Sequence, residues 1–580
     1  MSTRRTPYLV GKAFNSFLLA SVLTASASQV GNLIDGVMLS HFLDEKAMSA
    51  INLCMPVTQT LFALCKLLGV GGTMHAGVAI GNHDRPKASS LFSLVMATVA
   101  GIGILIGCVA HPAPLTGLLC LDESLKEYTS QYLAVILPAS AVYMVMVVLQ
   151  MFVTLDGSPR RVTAAVATAT VVNLSLDYVF LAMLGWGMTG AAIATVISYL
   201  AALMILAFHF SRPETLRIRF HGSYKEIMKV AAMGLPFGIA TALIAVQLLG
   251  NNLVAMHYLG TSGIIALSVC MYLLSFSMII LTGTLESFQP VAAILKGSGD
   301  NNGVALVLGR AYRFLTVSLA ILASVIIFLP GVIAGIFGIE NPADAAMLHK
   351  ALLPYAFNII LQCAVYLLIP VYQLYGHKGM ALTISFGQPL LPMLCYWMLS
   401  ALSAQGNGWI NPWWGFAIGQ SLLVIILIPF ILRQKGNHLP VVLIPKTNPD
   451  DMLDLSVDAD MKGMDEALRI VEKWLADAKV ENALRLRIVL ACEECLKNII
   501  THGLSGKKTA SAIDLRISLG AGKVDAVIKD EGRPFNPVEY DSKEGIGLLI
   551  LHKTCDRENY EYMFRQNILN LSWNREESAL

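Results

Sequence analysis

Twelve apolar stretches follow one another along the first 435 residues, and most are long enough to cross a bilayer as a helix of about 20 residues. Beyond a polar stretch with three prolines at 436–450, the pattern changes to short alternating segments that predict strands and to segments of helical period. The predicted membrane spans lie near 14–39, 47–76, 89–111, 129–153, 162–184, 188–210, 230–256, 263–292, 305–329, 348–373, 380–403 and 411–432. The expected fold is an all-α polytopic domain over 1–435, a linker over 436–450 and an α+β domain over 451–580.

The α+β domain is predicted to place its helices on one face of a mostly antiparallel sheet. The predicted strands are 452–457, 513–519, 524–529, 560–564 and 568–573, and the predicted helices are 462–478, 482–502 and 546–554.

An internal repeat relates the two halves of the membrane part, at about 8–216 and 224–433. A shift of 216 residues aligns His41 with His257 and Cys54 with Cys270, and the register continues without a gap to Gly81 and Gly297. Repeats of a whole half-domain are typical of secondary transporters. Asp35 aligns with Asn251, so the halves share a scaffold but not this charge.

Composition agrees with a membrane protein and adds an orientation. The 580 residues are 55% hydrophobic and 14% charged. Connections on one side of the predicted spans contain eighteen Lys and Arg residues, and the opposite connections contain three. The positive-inside rule therefore predicts a multi-pass protein of the bacterial inner or plasma membrane with both termini in the cytoplasm, where ATP is available. Ten scattered cysteines, including the pair Cys492 and Cys495, are interpreted as packing residues in a reducing compartment.

Two acidic side chains in apolar stretches indicate a site within the membrane. Asp35 lies in the first span, and a carboxylate in hydrocarbon is costly enough that a function is the first interpretation. Asn173 and Asp177 are four residues apart on the fifth span, so they share a helix face that can present hard oxygen ligands to a small cation. The alternative is that Asp35 or Asp177 lies near a helix end in contact with water.

These residues and their neighbours resemble the MATE (multidrug and toxic compound extrusion) transporters over residues 8–433. The similarity lies in Asp35 followed by Met38, in the segment Asn-Leu-Ser-Leu-Asp-Tyr-Val-Phe from Asn173, and in the small-residue run 187–195. The resemblance implies two six-helix bundles around a central cavity, exporting organic cations in exchange for H⁺ or Na⁺. It implies a coupling-ion site at Asp35, Asn173, Asp177 and Thr195.

The chain departs from that pattern in its second half. Some relatives have an acid in the seventh span, but 235–257 contains none, and Gln247 is its most polar candidate. Lys66 in the second span and Glu286 in the eighth are further candidate cavity groups, unless they lie near a cytoplasmic end.

The tail contains three polar motifs in a fixed order. Glu494, Asn498 and His502 form one stripe on a predicted helix; Asp530 and Gly532 follow a strand; and Gly545, Gly547 and Leu548 open a helix. An acid at a strand end can accept a hydrogen bond from an adenine amino group, and glycines at a helix N-terminus let backbone N–H groups approach phosphates.

In this order the motifs resemble the GHKL ATP-binding fold, and more closely the anti-sigma-factor serine kinases. The resemblance implies Glu494 as general base, Asn498 as Mg²⁺ ligand, Asp530 as adenine contact, and Gly532, Gly545 and Gly547, with Leu548, at the lid and phosphates. The cofactors expected are ATP and Mg²⁺, and serine/threonine kinase activity is a candidate. The lid at 536–544 is short and acidic, and Glu493 doubles the acid before Glu494. The chain lacks the spacing of a Walker A loop, so ATP hydrolysis is not expected to drive transport directly.

Three functions follow from these patterns. The first is a cation-coupled exporter regulated by an ATP-binding domain; the second is a receptor with a transporter fold that controls a serine kinase; the third is a flippase of lipid-linked substrates. The expected partners are a small organic, cationic substrate, the lipid bilayer, an anti-anti-sigma-like protein and a second copy through the C-terminal domain. No nucleic acid partner is expected.

Overall fold

A computed structural model describes residues 8–575 apart from 44, 120–122, 212–215, 220–222, 340, 406–408, 434–443, 446–450, 505–511, 521, 539–550 and 564. Within these residues, nine helices are long and apolar enough to span a membrane, or ten if the bent pair Leu125–Ile136 and Ser140–Leu155 forms one span. One of the nine, Tyr224–Gly297, contains two predicted spans, and Trp414–Pro429 is a shorter apolar helix. The predicted helical membrane part is therefore confirmed, and the count of twelve spans stays a prediction.

The helices of this part follow the apolar stretches of the sequence. They are α1 (Tyr8–Phe42), α2 (Glu45–Gly81), α3 (Arg85–Val109), α4 (Pro112–Leu119), α5 (Glu123–Ile136), α6 (Ser140–Leu155), α7 (Pro159–Asp177), α8 (Gly187–Phe208), α9 (Tyr224–Val254), α10 (Gly260–Gly297), α11 (Asn301–Phe328), α12 (Pro330–Ile336), α13 (Pro342–Tyr366), α14 (Leu368–Leu374), α15 (Lys378–Ala404) and α16 (Trp414–Arg433). π-helical turns follow α7 at Tyr178–Met183 and α9 at Ala255–Leu259.

The internal repeat appears in space as a symmetric contact between α2 and α10. A Cβ on Gly81 would lie 2.1 Å from the carbonyl oxygen of Ile294, and a Cβ on Gly297 would lie 2.3 Å from that of Val78. The two contacts exchange under the 216-residue shift, because 78 corresponds to 294 and 81 to 297. An approximate two-fold axis therefore passes between these glycines, where the backbones come too close for any side chain.

The chain forms two compact units. The helical unit comprises Phe17–Asp300 and Val307–Ile444, and the sheet unit comprises Met1–Ser16, Asn301–Leu306 and Pro445–Leu580. The sheet unit thus includes the beginning of α1 and of α11 in addition to the predicted C-terminal domain.

The sheet unit contains five antiparallel strands and two long helices. The strands are β1 (Met452–Asp458), β2 (Ala512–Gly520), β3 (Lys523–Asp530), β4 (Arg557–Met563) and β5 (Gln566–Asn574), in the order β1-β2-β3-β5-β4. The helices are α17 (Met461–Asp477) and α18 (Asn482–Asn498), which continues as a π-helical turn, Ile499–Gly503. Each predicted strand and both predicted long helices are present. Of the predicted helix at 546–554, residues 551–554 are described and are helical.

Alternation along the strands divides the sheet into two faces. Leu515, Ile528 and Leu569 pair across β2, β3 and β5, and all three belong to the core that also contains α17 and α18. A second row of paired residues crosses β2, β3, β5 and β4, and it consists of Asp514, Lys529, Ile568 and Glu561. These residues point to the opposite face, because successive side chains along a strand alternate between the two faces. This second face is called the open face below.

Candidate functional site

The first candidate site lies in the helical unit, where α1 packs beside α7. The hydroxyl oxygens of Thr24 and Thr163 are 2.9 Å apart, and a Cβ on Gly31 would lie 3.0 Å from Cγ2 of Thr170. Each contact joins two positions that are 139 residues apart, and the second contact lies seven residues further along both helices than the first. The helices therefore run parallel in constant register. Continuing that register by one turn places position 35 level with position 174, between Asn173 and Asp177. The side chain of Asp35 itself lies outside the described residues.

Asp177 is fully buried rather than exposed to water. It is the last residue of α7 and is 0% exposed, and the amide nitrogen of Asn173, one turn earlier, is buried without a hydrogen bond in the described part of the chain. A buried carboxylate beside an unsatisfied amide is the environment in which a cation or a proton lowers the free energy. Thr195 lies on the neighbouring helix α8, where its hydroxyl donates to the carbonyl of Ala191 at 3.0 Å. The structure thus brings α1 and α7 together at the predicted ion site, and it shows the Thr195 hydroxyl bonded to its own helix.

The repeat-related position in the second half is neutral. Asn251, the counterpart of Asp35, is 1% exposed, and its Oδ1 accepts a hydrogen bond from Nε1 of Trp397 at 3.3 Å. Trp397 packs directly on Gly250, whose added Cβ would lie 2.2 Å from the indole ring. Gln247 is half-buried one turn earlier on α9. The two halves therefore present different chemistry at equivalent places, as the sequence predicts.

Lys66 and Glu286 form an ion pair that the sequence does not reveal. Nζ of Lys66 lies 3.4 Å from Oε1 of Glu286 and 5.0 Å from the centre of the Phe62 ring. The pair joins α2 of the first repeat to α10 of the second, and the 216-residue shift would replace it by Val70 and Thr282. The contact between α2 and α10 is symmetric, but only one of its two equivalent places has an ion pair.

The second candidate site lies in the sheet unit, at the end of β3. Asp530 is 4% exposed, and its Oδ1 accepts hydrogen bonds from the backbone N–H of Gly532 at 2.6 Å and from Nδ2 of Asn567 at 2.8 Å. Asn567 is held in turn by the hydroxyl of Tyr560, which donates to its Oδ1 at 2.6 Å. The clamp formed by Tyr560 and Asn567 is not evident from the sequence; the pairing of β3 with β5, which sets Asn567 opposite Asp530, brings it to the carboxylate.

Gly532 fits a turn that admits no side chain. A Cβ there would lie 2.6 Å from Oδ1 of Asp530 and 2.8 Å from the carbonyl oxygen of Gly503. The N–H of Arg533 donates to that same carbonyl at 3.2 Å, so the turn 530–533 packs against the end of the π-helical turn after α18.

Asn498 and Glu494, both half-buried, lie at the end of α18 that leads into this contact. The structure therefore joins the turn after β3 to the end of the helix that contains the first tail motif, through Gly503. Gly545, Gly547 and Leu548, the third motif, lie outside the described residues.

The C-x-x-C pair supports the packing interpretation. Cys492 and Cys495 are buried in the sheet-unit core, and burial raises the pKa of the Cys492 thiol to about 12. Burial also raises the pKa of Cys495. A thiol that stays protonated is neither a nucleophile nor a metal ligand. Among the described residues, no group of three or more His, Cys, Asp and Glu side chains is arranged to hold a metal ion.

Two family models match this chain, one for each kind of site. The MatE model matches residues 20–179, which contain the α1–α7 pair, and the histidine kinase-like ATPase domain model matches residues 457–573. The chain is thus a multi-pass membrane protein with a region that matches the MatE model, followed by a region that matches the histidine kinase-like ATPase domain model.

The particular relatives are drug exporters. The chain is 27% identical over 289 residues to the multidrug export protein MepA of Staphylococcus haemolyticus (strain JCSC1435), an alignment covering 49% of this chain and 64% of MepA. It is 25% identical to MepA of Staphylococcus saprophyticus (strain ATCC 15305) over 45% of this chain and 60% of the relative. The matched region spans less than two thirds of either protein.

Solved structures show the same fold. A multidrug resistance MATE transporter of the MOP superfamily, in an outward-facing conformation, covers 74% of this chain and 98% of its own length at 19% identity, with a TM-score of 0.67. A MOP superfamily transporter from Pyrococcus furiosus, described as having a binding pocket of reverse polarity that suggests a different function, gives 20% identity over 74% of this chain and 98% of its own length, with a TM-score of 0.65. The MATE fold extends well beyond the residues that the MatE model matches.

Proposed function

We propose that this protein is an antiporter that exports organic cations or drugs in exchange for H⁺ or Na⁺, regulated by a domain that binds ATP with Mg²⁺. The observation that supports it most is the constant register of α1 and α7, because continuing it by one turn leads to position 35 on α1 and to Asn173 and the fully buried Asp177 on α7. Acidic residues are costly in an apolar region, and a coupling ion that enters and leaves would lower that cost. The named relatives export multiple drugs, which is the basis for the substrate class.

We further propose twelve membrane spans with both termini in the cytoplasm. Each predicted span coincides with one or two described helices, and the eighteen Lys and Arg residues of one set of connections face three in the other. On this topology the sheet unit lies on the side of the membrane that contains ATP.

The residues at the end of β3 fit an adenine nucleotide. The Asp530 carboxylate would accept from the adenine amino group, Gly532 would keep the turn clear of a Cβ, and Asn498 would hold Mg²⁺. ATP supplies a transferable phosphoryl group, and Glu494, one turn before Asn498, is the base that would take a proton from an incoming hydroxyl.

The test of coupling is drug efflux from vesicles with an imposed ion gradient, with and without ATP. Asp35→Asn and Asp177→Asn should each abolish gradient-driven efflux while expression stays normal, because the amide keeps the shape and removes the charge. Glu127→Gln on α5, exposed and hydrogen-bonded only to Gln131 among the bonds described, is the matched control. Normal efflux by both Asp variants would refute the coupling assignment.

The test of the tail separates binding from transfer. Asn498→Ala and Asp530→Ala should lose MgATP binding in calorimetry on the full chain. Glu494→Ala should keep binding and lose any phosphate transfer to a partner serine, because a base acts only in the transition state. A wild-type chain that binds no ATP would refute the nucleotide assignment.

A receptor that controls a serine kinase is the second candidate. It is favoured by the fusion to a histidine kinase-like ATPase domain and by a structural neighbour whose binding pocket suggests a different function. Labelled phosphate on an anti-anti-sigma-like partner, with no efflux in vesicles, would select it.

A further inference from the structure

Part of the open face of the sheet is shielded from solvent. Glu561, Met563 and Gln566 lie on this face, opposite α17 and α18, and their exposed fractions are only 3%, 2% and 2%. A carboxylate and an amide at the edge of an antiparallel sheet are normally solvated. For Gln566, the hydrogen bonds identify a contacting segment within the same unit.

The beginning of α1 contacts Asp514 and Gln566 on this face. Leu9 is 0% exposed; its backbone N–H donates to Oδ2 of Asp514 at 3.3 Å, and its carbonyl accepts from Nε2 of Gln566 at 2.9 Å. The first N–H groups of a helix have no partner within the helix, and a carboxylate there also interacts favourably with the helix dipole. Asp514 and Gln566 thus bind the backbone of the first turn of α1. The part of α1 that belongs to the sheet unit, residues 8–16, is called the N-terminal segment below.

A charge pair extends this contact to the edge of the candidate nucleotide site. Nζ of Lys12 lies 2.6 Å from Oε2 of Glu531, and the two side chains are 53% and 20% exposed. Glu531 directly follows Asp530, whose Oδ1 is fixed by Gly532 and Asn567. A ligand that orders the turn 530–533 therefore also orders Glu531.

We propose that the N-terminal segment is a docked part of the nucleotide-binding unit, and that bound MgATP strengthens its Lys12–Glu531 pair. The proposal rests on the proposed function, since it takes the nucleotide to bind at Asp530. The segment is the first part of α1, so it is covalently continuous with the helix that contains Asp35. Binding linkage is reciprocal, so the pair must in turn strengthen nucleotide binding.

The dock is tested by zero-length cross-linking of the full chain in detergent. A carbodiimide joins an amine to a carboxylate only in contact, and mass spectrometry of the digest should find Lys12 linked to Glu531. Lys12→Gln should lose the link, and the exchange K12E with E531K should restore it with the two groups reversed. Absence of the link from a wild-type chain that binds MgATP would overturn the dock.

The nucleotide step is tested by two measurements on the same preparation. MgATP should raise the yield of the link, and Lys12→Gln should weaken MgATP binding by up to about fivefold, which is the range that an exposed ion pair permits. Lys462→Gln, which removes an exposed lysine of α17 on the other side of the sheet, is the control and should leave binding unchanged.

Equal MgATP affinity of the two lysine variants, or a lower yield of the link with MgATP, would overturn the coupling. A wild-type chain that forms the link but binds no ATP would refute the proposed nucleotide function, and the coupling with it, while leaving the dock as a structural contact.

Discussion

Replacing Asn567 by alanine should disable the candidate nucleotide site without touching any residue proposed to contact ATP. Asn567 donates to Oδ1 of Asp530 at 2.8 Å and to the carbonyl of Arg533 at 3.2 Å, and it accepts from the hydroxyl of Tyr560 at 2.6 Å. A hydrogen bond to a charged group contributes about 1.5–3 kcal/mol and a neutral one about 1, so the sheet unit should lose about 2–4 kcal/mol of unfolding free energy.

The assay is MgATP binding by calorimetry, together with hydrogen exchange of the β3 and β5 amides, both on the full chain. Loss of the clamp allows the Asp530 carboxylate to rotate. If this costs about 1.4 kcal/mol of binding free energy, the affinity for MgATP falls tenfold. Faster exchange should be confined to the two strands that the clamp joins.

Asn570→Ala is the matched control for this prediction. Asn570 lies on the same strand, and its buried Nδ2 makes no hydrogen bond within the described residues, so its removal should cost little. Wild-type affinity and unchanged exchange in Asn567→Ala would refute the reasoning, because the Asp530 carboxylate would then need no clamp.

Three further predictions concern charged groups. Glu286→Gln or Lys66→Met should alter the efflux rate in vesicles more than the substrate affinity, because the 3.4 Å ion pair joins helices of the two repeats. Equal effects on rate and affinity would contradict a role of the pair in the movement of the repeats. Asp177→Asn should change thermal stability in detergent more than Ser175→Ala does, because Asp177 is fully buried and Ser175 lies on the exposed side of α7. Asp556→Asn should reduce the pH dependence of the unfolding free energy of the sheet unit in acid. The Asn574 N–H, followed by Arg487, lowers the pKa of Asp556. The carboxylate therefore stabilises the fold above its ordinary pKa of 3.8, and this stabilisation is lost as the pH falls through the folded pKa.

The sequence predicts most of the fold because each element is long or strongly alternating. The 216-residue repeat predicts that Gly81 and Gly297 are equivalent, and the structure shows these same residues in contact. The strands of the tail are equally predictable, because Leu515, Ile528 and Leu569 alternate with polar residues and face one core.

Long-range side-chain pairs could not be predicted in this way. Asp156, 1% exposed, accepts from Nε2–H of His209 at 2.7 Å, and Arg161 donates to the other ring nitrogen at 2.6 Å, which fixes the neutral tautomer. These residues are up to 53 positions apart, and no periodicity relates them. The Lys66–Glu286 pair spans 220 positions, so each residue is recognisable from the sequence only as an isolated charge. The start of α1 has no pattern that predicts its contact with a strand more than 500 residues later.

The magnitude of these contacts limits what nucleotide binding can do to transport. An exposed pair such as Lys12–Glu531 contributes about 0.2–1 kcal/mol, which changes the ratio of two conformations by about fivefold at most. Moving an equilibrium from 1:99 to 99:1 requires about 5.5 kcal/mol of differential binding. The charge pair alone can therefore only adjust the rate of an exporter. A complete switch would also have to release the buried bonds of Leu9 to Asp514 and Gln566, and so expose the open face of the sheet. Protection of the β5 amides from hydrogen exchange distinguishes the two cases, because it survives an adjustment and is lost when the segment undocks.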